Sequence, residues 1–571
     1  VAAAAAFVAA VAAPTAGAGF LPKGLAHKVR AHDDATFSVI VQPAPSKRAE
    51  ALAKDVHNER ASRIAPGAGV RNSFESVNAF AAELTGKEIL KLAARKDVLA
   101  ITEDSPLETS GLLPLLDPLT SLLTTKQRWP FVSGVAVTWP GVTNGTLSPP
   151  TIAVVDSGIQ AGRTDFGGRV VAQVTMTDRV PNSPGDGRGH GTFVAAIAAG
   201  AATGYAGAMP NAKLVSIDVV DDQGVANTRD AIAAADWILA NKSRYGIRVA
   251  NFSLHSALES SFRFDPLARA VERLWFNGVV VVAAAGNYGT AKRGVLHAPG
   301  NDPFVITVGA ADVAGTVTVR DDTAAPWSAY GYTLDGFAKP EVSAPGRYMV
   351  SAVPPLSTLA LERPDRIVAP GYMQLSGTSF AAPVVAGAAA YLLALHPSWT
   401  PSQVKGALMR TARATPSAIP LSTGIGEIYA PRAAEMTSPP NPNAGLEKYL
   451  LTDPYGGVVF DAASWTDAAR ANAAWDVASW TDASWTDASW TDASWTDASY
   501  SMASWTDASW TDSAFSSASW TDASWTDASW TDAASTGSAW AANAENEALA
   551  AGGEWVTEEE LALEGELGST P

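Results

Sequence analysis

The sequence predicts an α/β fold in which a mainly parallel sheet carries helices on both faces. A small α+β ferredoxin-like unit precedes it and a pentad-repeat tail follows. Three observations support this. Between about Thr124 and Ala434, short apolar runs alternate with helical stretches, the pattern of a parallel sheet covered on both sides. Upstream, from Ala35 to Thr102, strand and helix patterns alternate on a smaller scale. Downstream, Ala-Ser-Trp-Thr-Asp recurs from Ala463 in five-residue steps. At 571 residues the chain is too long for one ordinary domain.

Residues 1–18 open with an alanine-dominated apolar run, Ala2 to Ala13, and Ala16-Gly17-Ala18 offers a small-x-small cleavage pattern. No Lys or Arg precedes Lys23, so the positive flank of a signal is missing. The run reads as a signal peptide remnant, with an Ala-rich linker as the alternative. It is too short and too weakly apolar for a stable membrane span.

Residues 34–106 form the small domain. Thr36 to Val41 reads as a strand, Lys47 to Ala61 as a polar-faced helix, and Phe74 to Leu84 as an apolar strand-like run. Thr85-Gly86-Lys87-Glu88 has capping-box spacing before Ile89-Leu90-Lys91-Leu92-Ala93. Val98 to Thr102 closes the unit. Residues 107–123, rich in leucine and proline and poor in charge, read as a linker open to a protease.

In the large domain, 124–436, strands are expected at Thr151 to Val155, Lys213 to Ile217, Val249 to Leu254, Gly278 to Ala283 and Val305 to Val308. Active sites of such sheets sit at carboxyl strand ends. Asp156 stands at the end of the first of these strands, where a buried carboxylate needs a partner. His190 lies between glycines at the start of the helical run Phe193 to Ala199. Ser379 opens the helix that runs to Leu395, where a hydroxyl meets N–H groups lacking an intrahelical partner. Pro383 reads as a first-turn residue of that helix. Each residue alone has a structural reading; an acid, a histidine and a serine at such positions together point to nucleophilic catalysis.

These segments resemble the subtilisin-like serine peptidases. The resemblance rests on Val155-Asp156-Ser157-Gly158, Gly189-His190-Gly191-Thr192, Ala284-Ala285-Gly286-Asn287 and Gly377-Thr378-Ser379-Phe380-Ala381-Ala382-Pro383, in the family's order. It implies that Ser379 is the nucleophile, His190 its base, Asp156 the residue orienting the imidazole, and Asn287 an oxyanion donor. It also implies that Ser253-Leu254-His255 and Ala283-Ala284-Ala285, with Gly286, run antiparallel and parallel to the substrate and wall the P1 pocket. By position, the upstream domain resembles the family's inhibitory propeptide, an intramolecular partner.

The chain departs from the family twice. His255 replaces a usual glycine, which puts a large apolar P1 preference in doubt, and Phe380 replaces a usual methionine after the nucleophile. No cofactor is required. Members often bind structural calcium, for which Asp221-Asp222 and Asp321-Asp322 offer oxygen ligands, as solvated surface acids also would.

Residues 437–461 read as a linker, 462–532 as the repeat region and 533–571 as an acidic tail, with Glu554 to Glu566 as a short helical end. From Asp461 onward, twenty acidic residues face the single Arg470, so most of the net charge of −17 belongs to the tail. No part shows a basic footprint for nucleic acid. The absence of cysteine excludes disulfides and thiolate sites. A five-residue step turns a helical side chain by about 140°, and an odd period alternates faces on a strand, so neither regular element carries one indole face. Two readings remain for the pentads: a solenoid turning every five residues, or an acidic low-complexity segment whose aromatics meet a partner such as cell-wall glycan.

The function these features imply is a secreted or cell-surface serine endopeptidase acting on proteins and peptides, made as a self-processing zymogen. The competing reading is a non-catalytic cell-surface adhesin or scaffold that presents the Trp repeats.

Overall fold

A computed structural model of the chain describes residues 19–61, 69–109, 127–139, 147–289, 294–453, 457–470 and 553–555. The chain divides into two units, one of residues 1–104 with 548–571, the other of residues 105–547. The readings of 1–18 and of 471–532 lie outside the described residues.

In the first unit the strands are β1 (Phe20–Pro22), β2 (Thr36–Pro43), β3 (Gly69–Phe74), β4 (Ala79–Thr85) and β5 (Val98–Glu103), in the order β1-β5-β2-β4-β3. The apolar run expected as one strand is folded back on itself, because Asn78 takes a left-handed conformation (φ 47°) in the turn between β3 and β4. The order is therefore strand–helix–strand–strand–helix–strand, the ferredoxin-like split βαβ. Helix α1 (Lys23–Ala31) and β1 extend the unit towards the amino terminus of the expected start. Helices α2 (Ala49–Ala61) and α3 (Gly86–Ala93) share a core with alternate strand residues: Leu52, Ile89 and Leu92 pack with Val39, Val41 and Phe80. The expected capping box is formed: Thr85 Oγ1 accepts from Glu88 N while Glu88 accepts from Thr85 N. At the other end of the chain, Gly553–Trp555 pairs antiparallel with β1, while the remainder of the acidic end expected to be helical, 556–566, lies outside the described residues.

In the second unit, strand β6 (Pro106–Thr109) follows directly on the small domain. The main sheet comprises β7 (Thr151–Asp156), β8 (Val170–Thr175), β9 (Leu214–Asp218), β11 (Ile247–Phe252), β13 (Val280–Ala284), β14 (Ile306–Asp312), β15 (Thr323–Ala324) and β16 (Val342–Pro345). Its order is β15-β14-β13-β11-β7-β9-β8, with β16 also on β14, and every pairing except β14–β15 is parallel. All five expected strands are present. The edge strand β8 alternates half-buried and exposed residues, so it lacks the continuous apolar run of its neighbours.

The chain leaves β7 to one side for β8 and β9, then crosses to β11 on the other. The carboxyl end of β7 is thus a topological switch point, where open α/β sheets bind ligands. Helices α4 (His190–Ala199), α5 (Thr228–Tyr245), α6 (Pro266–Phe276), α7 (Thr378–Leu395) and α8 (Pro401–Arg410) complete the unit. Helix α7 is long and apolar enough to cross a bilayer, yet nearly all of it is buried against α4, β11, β13 and β14, as a core helix is.

The first pentad is helical, while the repeats that the five-residue period concerns lie outside the described residues. It lies in helix α9 (Ala462–Arg470), where Asp461 Oδ1 accepts from Ser464 N at 3.0 Å and so satisfies a first-turn donor.

Candidate active site

Asp156 ends β7 in the middle of the sheet. Its Oδ1 lies 2.7 Å from His190 Nδ1 and accepts from Ser157 N at 2.8 Å. Two glycines make this approach possible. A Cβ on Gly158 would fall 2.0 Å from Gly185 O, and one on Gly191 would fall 2.1 Å from Gly158 O. Both residues are buried, Asp156 at 1% and His190 at 2% exposure, so the hydrogen bond between them is shielded from solvent.

Asp186 ties the two segments together, a role that sequence reading passed over although the residue lies only four positions before His190. It accepts from Ser157 Oγ at 2.8 Å, Gly189 N at 2.6 Å and Thr192 N at 2.7 Å. Ser157 Oγ in turn accepts from Gly191 N at 2.9 Å. Burial pushes the Asp186 carboxyl up to about 7, against these hydrogen bonds, which favour the carboxylate. Asp218, paired with Asp156 across β7 and β9, is likewise pushed up, to about 6, by burial.

Ser379 is the second residue of α7, whose amino-terminal cap is Gly377. Pro383 lies inside the helix, beyond the first turn where it was expected. Having no N–H, it leaves the Ser379 carbonyl without its i+4 donor. Ser253 Oγ supplies one instead at 2.8 Å, while Ser379 Oγ donates to Ser253 O at 2.9 Å. Asn251 Nδ2 donates to Ser253 Oγ at 2.8 Å and fixes this reciprocal pair. His190 Nε2 is buried with no hydrogen-bond partner. Phe380 packs between His190 and Phe193, with ring centroids 5.4 and 4.5 Å away.

Asn287 follows β13. Its Oδ1 accepts from Thr378 N at 2.9 Å and from Thr378 Oγ1 at 3.0 Å, which fixes the amide. Thr378 Oγ1 also accepts from Gly286 N at 3.1 Å. Asn287 Nδ2 is buried without a partner. An imidazole nitrogen and an amide N–H₂ therefore remain unmatched, on residues that contact Phe380 and Thr378, the two neighbours of Ser379 in the chain.

Strand β6 lies between β10 (Val225–Asn227) and β12 (Leu254–Ser256), antiparallel to both. His255 faces Glu108 in register and Leu254 faces Thr109. Val225–Asn227 escaped sequence reading because three residues after Gly224 carry no periodic signal. Ala283 and Ala284 belong to β13 in the main sheet, and Ala285 and Gly286 follow it; all four are buried. The ring of His255 touches two others that the sequence did not single out together: His297 at 5.3 Å between centroids and Tyr288 at 5.9 Å, which are 4.9 Å apart.

The acid pairs considered for calcium are otherwise engaged. Asp221 accepts from Arg179 Nε and from Gln223 and Val225 N–H groups, and Asp222 accepts from Ser183. Asp321 accepts from Thr316, and Asp322 is buried against Glu427. Among the described residues no group of three or more metal-ligating side chains converges.

Residues 148–427 match the subtilase family (peptidase S8) and residues 29–110 match the peptidase inhibitor I9 family. Serine protease AprX of Bacillus subtilis is 35% identical over 264 residues, covering 45% of this chain and 59% of the relative. Subtilisin DY of Bacillus licheniformis is 33% identical over 264 residues, covering 46% and 82%. The fold is also similar to that of fervidolysin from Fervidobacterium pennivorans (TM-score 0.54, 21% identity), over 75% of this chain and 64% of that one. The chain belongs to the subtilase family of serine peptidases and carries an I9-type inhibitor domain before its peptidase domain.

Proposed function

We propose that this chain is a self-processing serine endopeptidase in which Ser379, His190 and Asp156 cleave peptide bonds through an acyl-enzyme. The observation that carries this reading is the His190–Asp156 hydrogen bond of 2.7 Å, with His190 Nε2 and Asn287 Nδ2 buried and unmatched beside Ser379. Asp156 accepts from Nδ1–H, which leaves Nε2 as the base. Rotation of Ser379 about χ1 exchanges its bond to Ser253 O for one to Nε2. The serine oxygen then adds to the substrate carbonyl carbon as its proton passes to His190. Asn287 Nδ2 and the Ser379 N–H stabilise the oxyanion. Collapse breaks the C–N bond, the amine leaves with the proton from His190, and water repeats the sequence on the ester.

The substrate adds as a strand between β10 and β12, the place β6 takes in this chain. The inhibitor domain is thus followed by a segment that occupies the cleft, and self-cleavage follows closely after Thr109. The ring of His255, on β12, meets that of Tyr288, which follows the Ala283–Asn287 segment, and both meet His297. That supports a preference for small P1 residues. The apolar run at 2–13 supports export.

A fluorophosphonate probe tests the reading. The processed wild type is expected to be labelled and Ser379→Ala silent. An unlabelled wild type, with its inhibitor segment removed, would overturn it in favour of a non-catalytic scaffold.

A further inference from the structure

Helix α9 carries the first Ala-Ser-Trp-Thr-Asp pentad, residues 463–467, onto the peptidase unit. Trp465 is fully buried there, stacked on Phe337 with ring centroids 5.5 Å apart and flanked by Phe262 at 6.0 Å and Phe460 at 6.3 Å. Phe262 itself packs edge-on against Phe337 at 5.8 Å and tilted against Phe460 at 5.6 Å, so the three phenylalanines form one cage. The next residue is read by a hydrogen bond: Arg263 Nη1 donates to Thr466 Oγ1 at 3.0 Å. Arg263 is held in place by buried Asp335, 2.8 Å from its Nε, which also accepts from Ser261 Oγ and Phe262 N. Ser464 is bonded through N and Oγ to Asp461 at the helix start.

The structure therefore gives Ser, Trp and Thr of the pentad each a separate reason to be what they are. The same five residues recur in nine further copies between 478 and 532. Among the described residues there is one such cage, and the sequence holds ten pentads. An indole has about 150–250 Å² of surface to bury, and the cage is the one place among the described residues where a pentad Trp buries it.

We propose that the cage of Phe262, Phe337, Phe460 and Arg263 is a binding site for the Ser-Trp-Thr-Asp unit as such, and that pentads from the tail of a second copy of this chain occupy it by exchanging with Trp465. The repeats are then interchangeable ligands for a receptor that every copy carries. Nine spare ligands per receptor raise the effective concentration for linking copies without any new kind of contact.

The test uses the full-length chain with Ser379→Ala, so that no peptide is consumed, and with Ala in place of Trp in the nine pentads between 478 and 532, so that none of them competes with the peptide for the cage. A fluorescein-labelled peptide, Asp-Ala-Ser-Trp-Thr-Asp-Ala-Ser, is titrated and followed by anisotropy. With Trp465→Ala added, saturable binding is expected at least tenfold tighter than to the chain that keeps Trp465. The same peptide with Ala in place of Trp should not bind, and Arg263→Ala should weaken binding further. Trp465→Phe, which keeps a ring in the cage, guards against a variant that fails to fold and is expected to bind with intermediate affinity. Failure of the peptide to bind either folded variant, or equal binding of the control peptide, overturns the cage as a pentad site. Sedimentation of the Ser379→Ala chain with Trp465 and all nine further pentads intact should show concentration-dependent association dispersed by excess peptide. A monomer at every concentration overturns the second-copy occupant.

Discussion

Replacing His255 by glycine is expected to convert a small-residue P1 pocket into one that accepts large apolar side chains. His255 is 7% exposed, and its ring touches those of His297 and Tyr288 at centroid separations of 5.3 and 5.9 Å. His255→Gly removes the five ring atoms nearest to β12, room for several carbon-sized groups of a P1 side chain. One methylene accommodated or refused by a pocket changes kcat/KM by about 10–200-fold. The ratio of kcat/KM for a Phe-P1 over an Ala-P1 peptide should therefore rise by at least about tenfold. Glycine within a short strand costs about 0.5–1 kcal/mol in stability. Rates should therefore be normalised to sites titrated by a fluorophosphonate. His297→Gly alone should act in the same direction. The double variant should depart from additivity, because the two rings are in contact. An unchanged ratio in both single variants and the double variant, with normal site titration, would refute the placement of these rings beside the scissile residue. It would leave the nucleophile assignment standing.

Three further outcomes follow from neighbouring groups. Asn287→Ala should lower kcat by about 10²–10³ with little effect on KM; the figure is that of subtilisin itself, a relative of this chain, carried over to a donor whose Nδ2 is here unmatched. A fall in KM-limited binding alone would show that Asn287 is not aimed at the oxyanion. The wild type should keep its activity in mild peroxide, since Phe380 has no sulfur to oxidise, whereas Phe380→Met should be inactivated; rapid loss in the wild type refutes this. Asp322 and Glu427 are buried carboxyls in mutual contact, with Asp322 pushed up to about 6 and Glu427 also raised, both by burial first. Acids with raised folded-state pKa values stabilise the fold fully below their unfolded values, and this contribution is lost as pH rises through the folded ones. The thermal midpoint should fall between about pH 4 and pH 7 and beyond, and Glu427→Gln should flatten that slope; an unaltered slope excludes the pair as its source.

How much of this was legible beforehand depends on how far each interaction reaches along the chain. Asp156, His190, Ser379 and Asn287 each sit in a local pattern, a strand end, a glycine-flanked helix start or a post-strand turn, and those patterns survive in one dimension. Their supports do not. Asp186 lies four residues before His190, but its bond to Ser157 exists only once Gly158 and Gly191 let two backbones meet. Pro383 was placed in the first turn, where its missing N–H would have been without consequence. One step deeper, it frees the Ser379 carbonyl for Ser253, and that bond ties helix α7 to the residue between β11 and β12. His297 is 42 residues from His255 in sequence, so the ring cluster had no signal in either segment alone.

The pentads are legible in the opposite way: their periodicity is plain in one dimension, and it says that no helix or strand gathers all the indoles on one face. Period argues for one regular element only if all the repeats share one environment. Trp465 has a cage, a capping Asp461 and Arg263 reading Thr466, none of which the repeat itself contains. A five-residue period that cannot build a face on any helix is well suited to another purpose, the display of many identical short ligands. Each then needs to fold only against its receptor.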